Sequence, residues 1–125
     1  MIEVEVANRS GREVDEAAAV ELSRRVLAGE GVGVGELGLA FVGSEESRAL
    51  KRDYLGVDEA TDALAFPLDG LAALPEGMPR QLGDVVVCPD VVGEAWRRPL
   101  VHALLHLVGY DHGPEMEARE AVYAP

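Results

Sequence analysis

Apolar and polar positions alternate at the start of the chain, where Ile2, Val4 and Val6 interleave with Glu3, Glu5 and Asn8 until Ser10-Gly11 breaks the run. A period of two predicts a half-buried strand. From about Val14 to Ala28 the segment VDEAAAVELSRRVLA is rich in helix formers, with acids early and arginines late, and predicts an amphipathic helix stopping at Gly29. After the turn GEGVGVG, the run ELGLAFVG predicts a second strand, and Ser44 with Glu46 and Ser47 suits the N-terminus of a helix reaching about Tyr54. TDALAFP predicts a short strand closed by Pro67, followed by a mobile loop from about Leu68 to Gln81 that contains Gly70, Pro75, Gly77 and Pro79. LGDVVVCP is a further apolar strand, and Pro89 leads into a brief helical piece that includes Trp96. Pro99 fits the first turn of a helix PLVHALLHLV, which ends at Gly109, a residue suited to a left-handed cap. Pro114 is placed to start a terminal helix, with Glu115 and Glu117 near its positive end.

At 125 residues the chain is expected to form a single domain, residues 1–125, around one core. No apolar run approaches the roughly 20 residues of a spanning helix, and the N-terminus lacks a basic stretch followed by an apolar block, so the expectation is a soluble, cytoplasmic protein. The single Cys88 cannot form an internal disulfide and reads as a buried strand thiol. A formal charge of −12 repels nucleic acid at long range, so no DNA partner is expected and any RNA contact must be local. The pairs Arg24/Arg25, Lys51/Arg52 and Arg97/Arg98 are either small basic spots or solvated helix faces.

Composition alone leaves the chemistry open; the histidines narrow it. Every side chain of PLVHALLHLVG except His102 and His106 is apolar, which predicts a largely buried helix whose two imidazoles need partners. A spacing of four residues puts both rings on one face, one turn apart, where two nitrogens converge on one metal ion. Gly109 then lets the chain leave sharply, and His112 folds back as a third ligand. The plainer alternative is a hydrogen-bonded core pair with a surface His112. Three protein ligands plus an open position suit zinc, although nickel, cobalt or copper would also bind three neutral nitrogens. Asp111 is either a group orienting an imidazole or a turn residue capping local amides.

The spacing equals that of the extended zinc-protease motif HExxHxxGxxH, with His102, His106, Gly109 and His112 in register. The glutamate that acts there as general base is replaced by Ala103, which has no acid–base chemistry, so a zinc metallopeptidase is disfavoured.

The string HALLHLVGYDH, followed by MEAREAVY, closely resembles the signature of YbeY-type endoribonucleases, HGxLHLxGYDH followed by an acidic helix containing ME. LKRDYLGVDEATDALAFP resembles the family block LNxxYRxxDxxTDVLSFP, and LGDVVVCPDVV resembles its LGDIxI strand, so the likeness spans roughly residues 36 to 123. It implies an α+β fold in which a small mixed β-sheet of about four strands packs against several helices, with the histidine-bearing helix buried. It also implies a zinc-dependent single-strand endoribonuclease acting in ribosomal RNA maturation, at the 16S 3′ end, and in ribosome quality control. Its partners would then be ribosomal RNA and the small ribosomal subunit.

This sequence departs from the pattern at Lys51 for Asn, Leu55 for Arg, Ala65 for Ser and Ala103 for Gly, and the segment between Asp90 and His102 is shorter. Leucine cannot clamp a phosphate as a guanidinium does; Arg52, three residues earlier on the same helix face, is the candidate catalytic substitute. Thr61, Asp62 and Asp84 lie in matching blocks, and Asp62 and Asp84 are candidates to line the cleft or hold a ligand histidine, with turn capping the alternative for Thr61 and Asp62. Leu55 and the negative charge also suit a second reading, a ribosome-associated assembly or binding factor with a structural metal site.

Overall fold

A computed structural model describes residues 1–69 and 73–124. The strands are β1 (Ile2–Arg9), β2 (Gly35–Val42), β3 (Ala63–Pro67) and β4 (Gln81–Val87); the helices are α1 (Glu16–Gly29), α2 (Ser44–Leu55), α3 (Pro89–Val92), α4 (Arg97–Leu107) and α5 (Pro114–Tyr123). The sheet runs β1-β2-β4-β3, with β1, β2 and β4 mutually parallel and β3 antiparallel to β4. This is the small mixed sheet with several helices expected from the sequence. Although β3 precedes β4 in the chain, β4 takes the inner place. Its Leu82, Val85, Val86 and Val87 are buried, as suits an inner strand, whereas β3 ends in a proline that cannot donate to another ladder.

Alternation along the strands sorts two faces. Ile2, Leu37, Leu39, Phe41, Val85 and Val87 enter one core with α1 and α4, while Glu3, Glu5, Glu36 and Asp84 stand exposed on the opposite face. Helix α4 lies in the middle, surrounded by α1, α5, β3 and β4, with Leu100, Val101, Ala103, Leu104, Leu105 and Leu107 all buried. Each fully buried leucine contributes about 1.5–3 kcal/mol, so this helix anchors a large share of the hydrophobic stabilisation. Cys88, just past β4, is buried as expected. No helix among the described residues is long and apolar enough to cross a membrane.

Two local expectations are corrected. The brief helix after β4 is only Pro89–Val92, and Trp96 lies outside it as the N-cap of α4, because the chain turns at Gly93 and the core takes the indole, edge-on to Phe41 at 6.2 Å. Ser44 begins α2, at the helix N-terminus expected for it, and makes no side-chain cap there. Its backbone N–H donates instead to Asp90 of α3 at 2.8 Å, and the other Asp90 oxygen accepts from Arg12 at 2.6 Å. The Ser44 N–H foremost, with Arg12, holds the Asp90 carboxyl below the usual carboxylate range. The second correction concerns the expected loop, since Gln81 already belongs to β4. Gly70, and the mobility expected around it, lie outside the described residues.

Ser47 is buried, yet satisfied: its hydroxyl donates to Thr61 O and accepts from Thr61 N–H, both at 3.1 Å, tying the approach to β3 onto α2. Gly29 ends α1, as the sequence predicts, with Glu30 as the C-cap. A Cβ at Gly29 would overlap the Tyr123 ring and hydroxyl of α5, and that hydroxyl is held by Glu30 and Arg119. Helix propensity alone makes Gly→Ala stabilising by about 1 kcal/mol. Overpacking costs about 1–3 kcal/mol and works against it. Gly29→Ala is therefore expected to lower stability in urea unfolding, and a gain would show that α5 yields at no cost.

Candidate metal centre

Helix α4 sets the site because its only polar side chains past the first turn are the two histidines. One turn apart, His102 and His106 bring their Nε2 atoms to 3.1 Å, with ring centroids 4.6 Å apart. Beyond Leu107 the chain must reverse. It does so at Gly109, whose φ of +107° is a conformation L side chains rarely adopt. The reversal carries His112 to centroid distances of 5.0 Å from His102 and 4.5 Å from His106. One ring nitrogen from each of the three histidines then lies within 4.8 Å of the others.

The far sides of two rings are engaged. His102 Nδ1 meets a carboxylate oxygen of Glu120 on α5, and His106 Nδ1 lies 2.9 Å from the carbonyl oxygen of Tyr110. Both oxygens only accept, so each Nδ1 carries the hydrogen and donates it, which leaves both Nε2 lone pairs bare. Two bare lone pairs facing each other at 3.1 Å repel; a cation between them removes the conflict. Tetrahedral zinc with nitrogens at 2.0–2.1 Å places neighbouring donors about 3.3 Å apart, so this donor set fits such an ion and leaves one position open. His106 has its pKa lowered, above all by burial and further by His102 and His112, while the Tyr110 carbonyl and Asp111 oppose the shift. Its neutral form, the form that ligates, is thereby favoured.

The other sequence candidates lie in varied places. Asp111 is exposed beside His112, and its charge is felt at His106. The Asp62 carboxylate accepts from its neighbours, the Ala63 N–H at 2.7 Å and the Thr61 hydroxyl at 3.3 Å, which is a local cap rather than a support for an imidazole. Asp84 lies on the acidic sheet face and, with Arg9, Glu46, Tyr54, Leu55 and Phe66, helps line a groove of about 980 Å³ that no histidine lines. Arg52, in the last turn of α2, is exposed and donates to Asp53 at 3.2 Å; among the described residues no hydrogen bond joins it to an imidazole.

Glu120 was missed by sequence reasoning. A signal was present: Met116 and Tyr123, four residues before and three after it, are the buried residues of α5, so Glu120 is a carboxylate within an apolar stripe.

Outer partners of ligand imidazoles are worth about 10–100-fold in metal affinity, so Glu120→Ala should weaken zinc binding by that factor in a chelator competition. Native affinity would show that His102 orients itself. For the metal-free chain the sign of the pH dependence follows from the depressed His106 pKa. The unfolded chain takes up the proton below about 6.5 while the folded chain resists, so this contribution is present above that pH and is lost as pH falls through the lower folded value. Unfolding free energy should decline on acidification from pH 7 to 5, with a shallower decline in His106→Gln.

A family model described as Endoribonuclease YbeY matches residues 5–122. A relative of that name from Halorhodospira halophila is 42% identical over 69% of this chain and 66% of its own length. Another from Salinispora tropica is 36% identical over 94% of this chain and 87% of its own length. The solution structure of TM1509 from Thermotoga maritima is similar in fold, with a TM-score of 0.61 at 24% identity over 98% of this chain and 86% of that one.

Proposed function

The chain belongs to the endoribonuclease YbeY family, and on that footing we propose that it is a metal-dependent endoribonuclease cleaving single-stranded ribosomal RNA, with zinc held by His102, His106 and His112. Its partners are then ribosomal RNA and the small ribosomal subunit. The observation that carries this reading is the convergence of three imidazole nitrogens within 4.8 Å, two of them with their tautomer set from behind. A bound zinc ion supplies Lewis acidity toward a phosphate oxygen and brings the pKa of water toward neutrality. The protein's part is orientation. Glu120 and the Tyr110 carbonyl hold the Nδ1 hydrogens of His102 and His106, so both rings present Nε2. Gly109 sets the reversal that returns His112. Ala103 offers no base, so no glutamate on α4 takes a proton from the attacking water. Arg52, whose held partner is the exposed Asp53, is the candidate to meet the negative charge that grows on the phosphate.

Leu55 favours a second reading, a ribosome-associated assembly factor in which the metal braces the C-terminal part of the chain. Leu55 is 60% exposed and brings no charge where relatives of the quoted pattern carry arginine. Two measurements separate the readings. Purified protein should carry about one zinc per chain by mass spectrometry, falling to near zero in His106→Ala. Cleavage of a single-stranded RNA should be abolished by chelator, restored by zinc, lost in His112→Ala and reduced about tenfold or more in Arg52→Ala. Equal background cleavage in all three chains would support the binding role.

A further inference from the structure

We propose that Glu30, at the C-cap of α1, is a positioning residue that holds the supports of the histidine cluster in place from outside it. This rests on the metal-site reading above. Glu30 belongs to neither the helix nor the turn that carries the histidines, yet its carboxylate collects bonds from both segments that surround them. The Tyr110 hydroxyl donates to one oxygen at 2.6 Å; Arg119 donates to the other through Nε at 3.0 Å and a terminal nitrogen at 2.7 Å, and the Tyr123 hydroxyl donates there as well. The Arg119 guanidinium also donates to the Tyr123 hydroxyl at 2.9 Å, which closes the cluster. The Glu30 side chain is only 6% exposed, so its carboxylate is largely shielded by these partners.

Each arm leads to an imidazole. Tyr110 is held by its hydroxyl to Glu30, and its carbonyl accepts from His106 Nδ1 at 2.9 Å. The same turn, two residues on, delivers His112. Arg119 is held to Glu30, and the next residue, Glu120, accepts from His102 Nδ1. One carboxylate on α1 therefore fixes the turn that orients His106 and returns His112, and the helix that orients His102. Without it, the partly exposed Arg119 guanidinium and two hydroxyls lose their common acceptor, and both outer supports are free to shift while the three histidines remain in the sequence.

The test compares the full-length chain with Glu30→Ala, Glu30→Gln and Tyr110→Phe, using cobalt(II) as the probe. Ile2→Ala, a core change in β1 that touches none of the hydrogen bonds to Glu30 or the imidazoles, is the stability control. Cobalt affinity from competition with a chelator should fall about 10–100-fold in Glu30→Ala and less in Glu30→Gln, which keeps an acceptor of the same shape. The visible cobalt bands should change in the same order. Ile2→Ala should bind cobalt within about twofold of the parent. Long-range proton–nitrogen spectra of the metal-free imidazoles supply a readout independent of any metal: the Nδ1–H tautomer of His106 should give way to a mixture in Glu30→Ala and, to a smaller extent, in Tyr110→Phe, which keeps the fold if Glu30→Ala does not. Native cobalt affinity, native bands and unchanged tautomers in variants that have merely lost stability would overturn the proposal. If the parent itself binds no cobalt, the metal reading fails, and the tautomer spectra still decide whether Glu30 positions the rings.

Discussion

Burying α4 is the constraint on which the rest of the structure depends. A helix with apolar side chains on every side cannot rest on a sheet with one face in water; it needs cover all round. The sheet supplies one side through β3 and β4, α1 supplies another, and α5 closes the remainder. Two imidazoles on such a helix are costly to leave without partners, since an unpaired buried polar group forfeits about 1–3 kcal/mol. Their Nδ1 atoms are answered by the two segments that follow α4 in the chain, the turn at Tyr110 and helix α5. Covering the helix and satisfying its histidines are thus one packing problem, solved by the same elements.

Local patterns carried much of this architecture. Alternation in β1, the continuous apolar run of β4, the acid-to-arginine gradient of α1 and the proline starts of α4 and α5 each act within a few residues, so they could be read directly from the sequence. Effects that join distant segments could not. The α2 cap is an aspartate 46 residues away, and Ser44, a plausible cap by identity, only donates its amide to it. Gly29 has the composition of a helix stop, but its place is set by Tyr123 arriving from the other end of the chain. The insertion of β4 between β2 and β3 likewise depends on which strand carries the more deeply buried apolar side chains.

The site divides in the same way. His102, His106, Gly109 and His112 lie within eleven residues, and helical geometry with one left-handed turn suffices to bring them together. Asp62 and Asp84 were singled out by the blocks they lie in; the first caps its own strand and the second faces the groove on the open side of the sheet. Glu120 lies on a different helix, and only its place in the apolar stripe of α5 distinguishes it from the many exposed acids of this chain. Glu30 is one step more remote: its partners come from residues 110, 119 and 123, and no spacing within α1 announces them.

Charge explains why neutral ligands suit this chain. The net charge is −12, and several cations are already matched with acids, as in Arg9 with Glu46, Arg12 with Asp90, Arg48 with Asp58 and Lys51 with Glu59. Long-range attraction for a polyanion is therefore weak, and whatever holds a phosphodiester must act at close quarters. Three imidazoles leave the full charge of a divalent ion available to such a group, where carboxylate ligands would cancel part of it. Glu120 sits one hydrogen bond further out, where it orients the His102 ring without being one of the three converging groups. With a divalent ion held there, Glu120 would orient an imidazole rather than neutralise the ion, and a chain with a repulsive field would still present a local centre of positive charge.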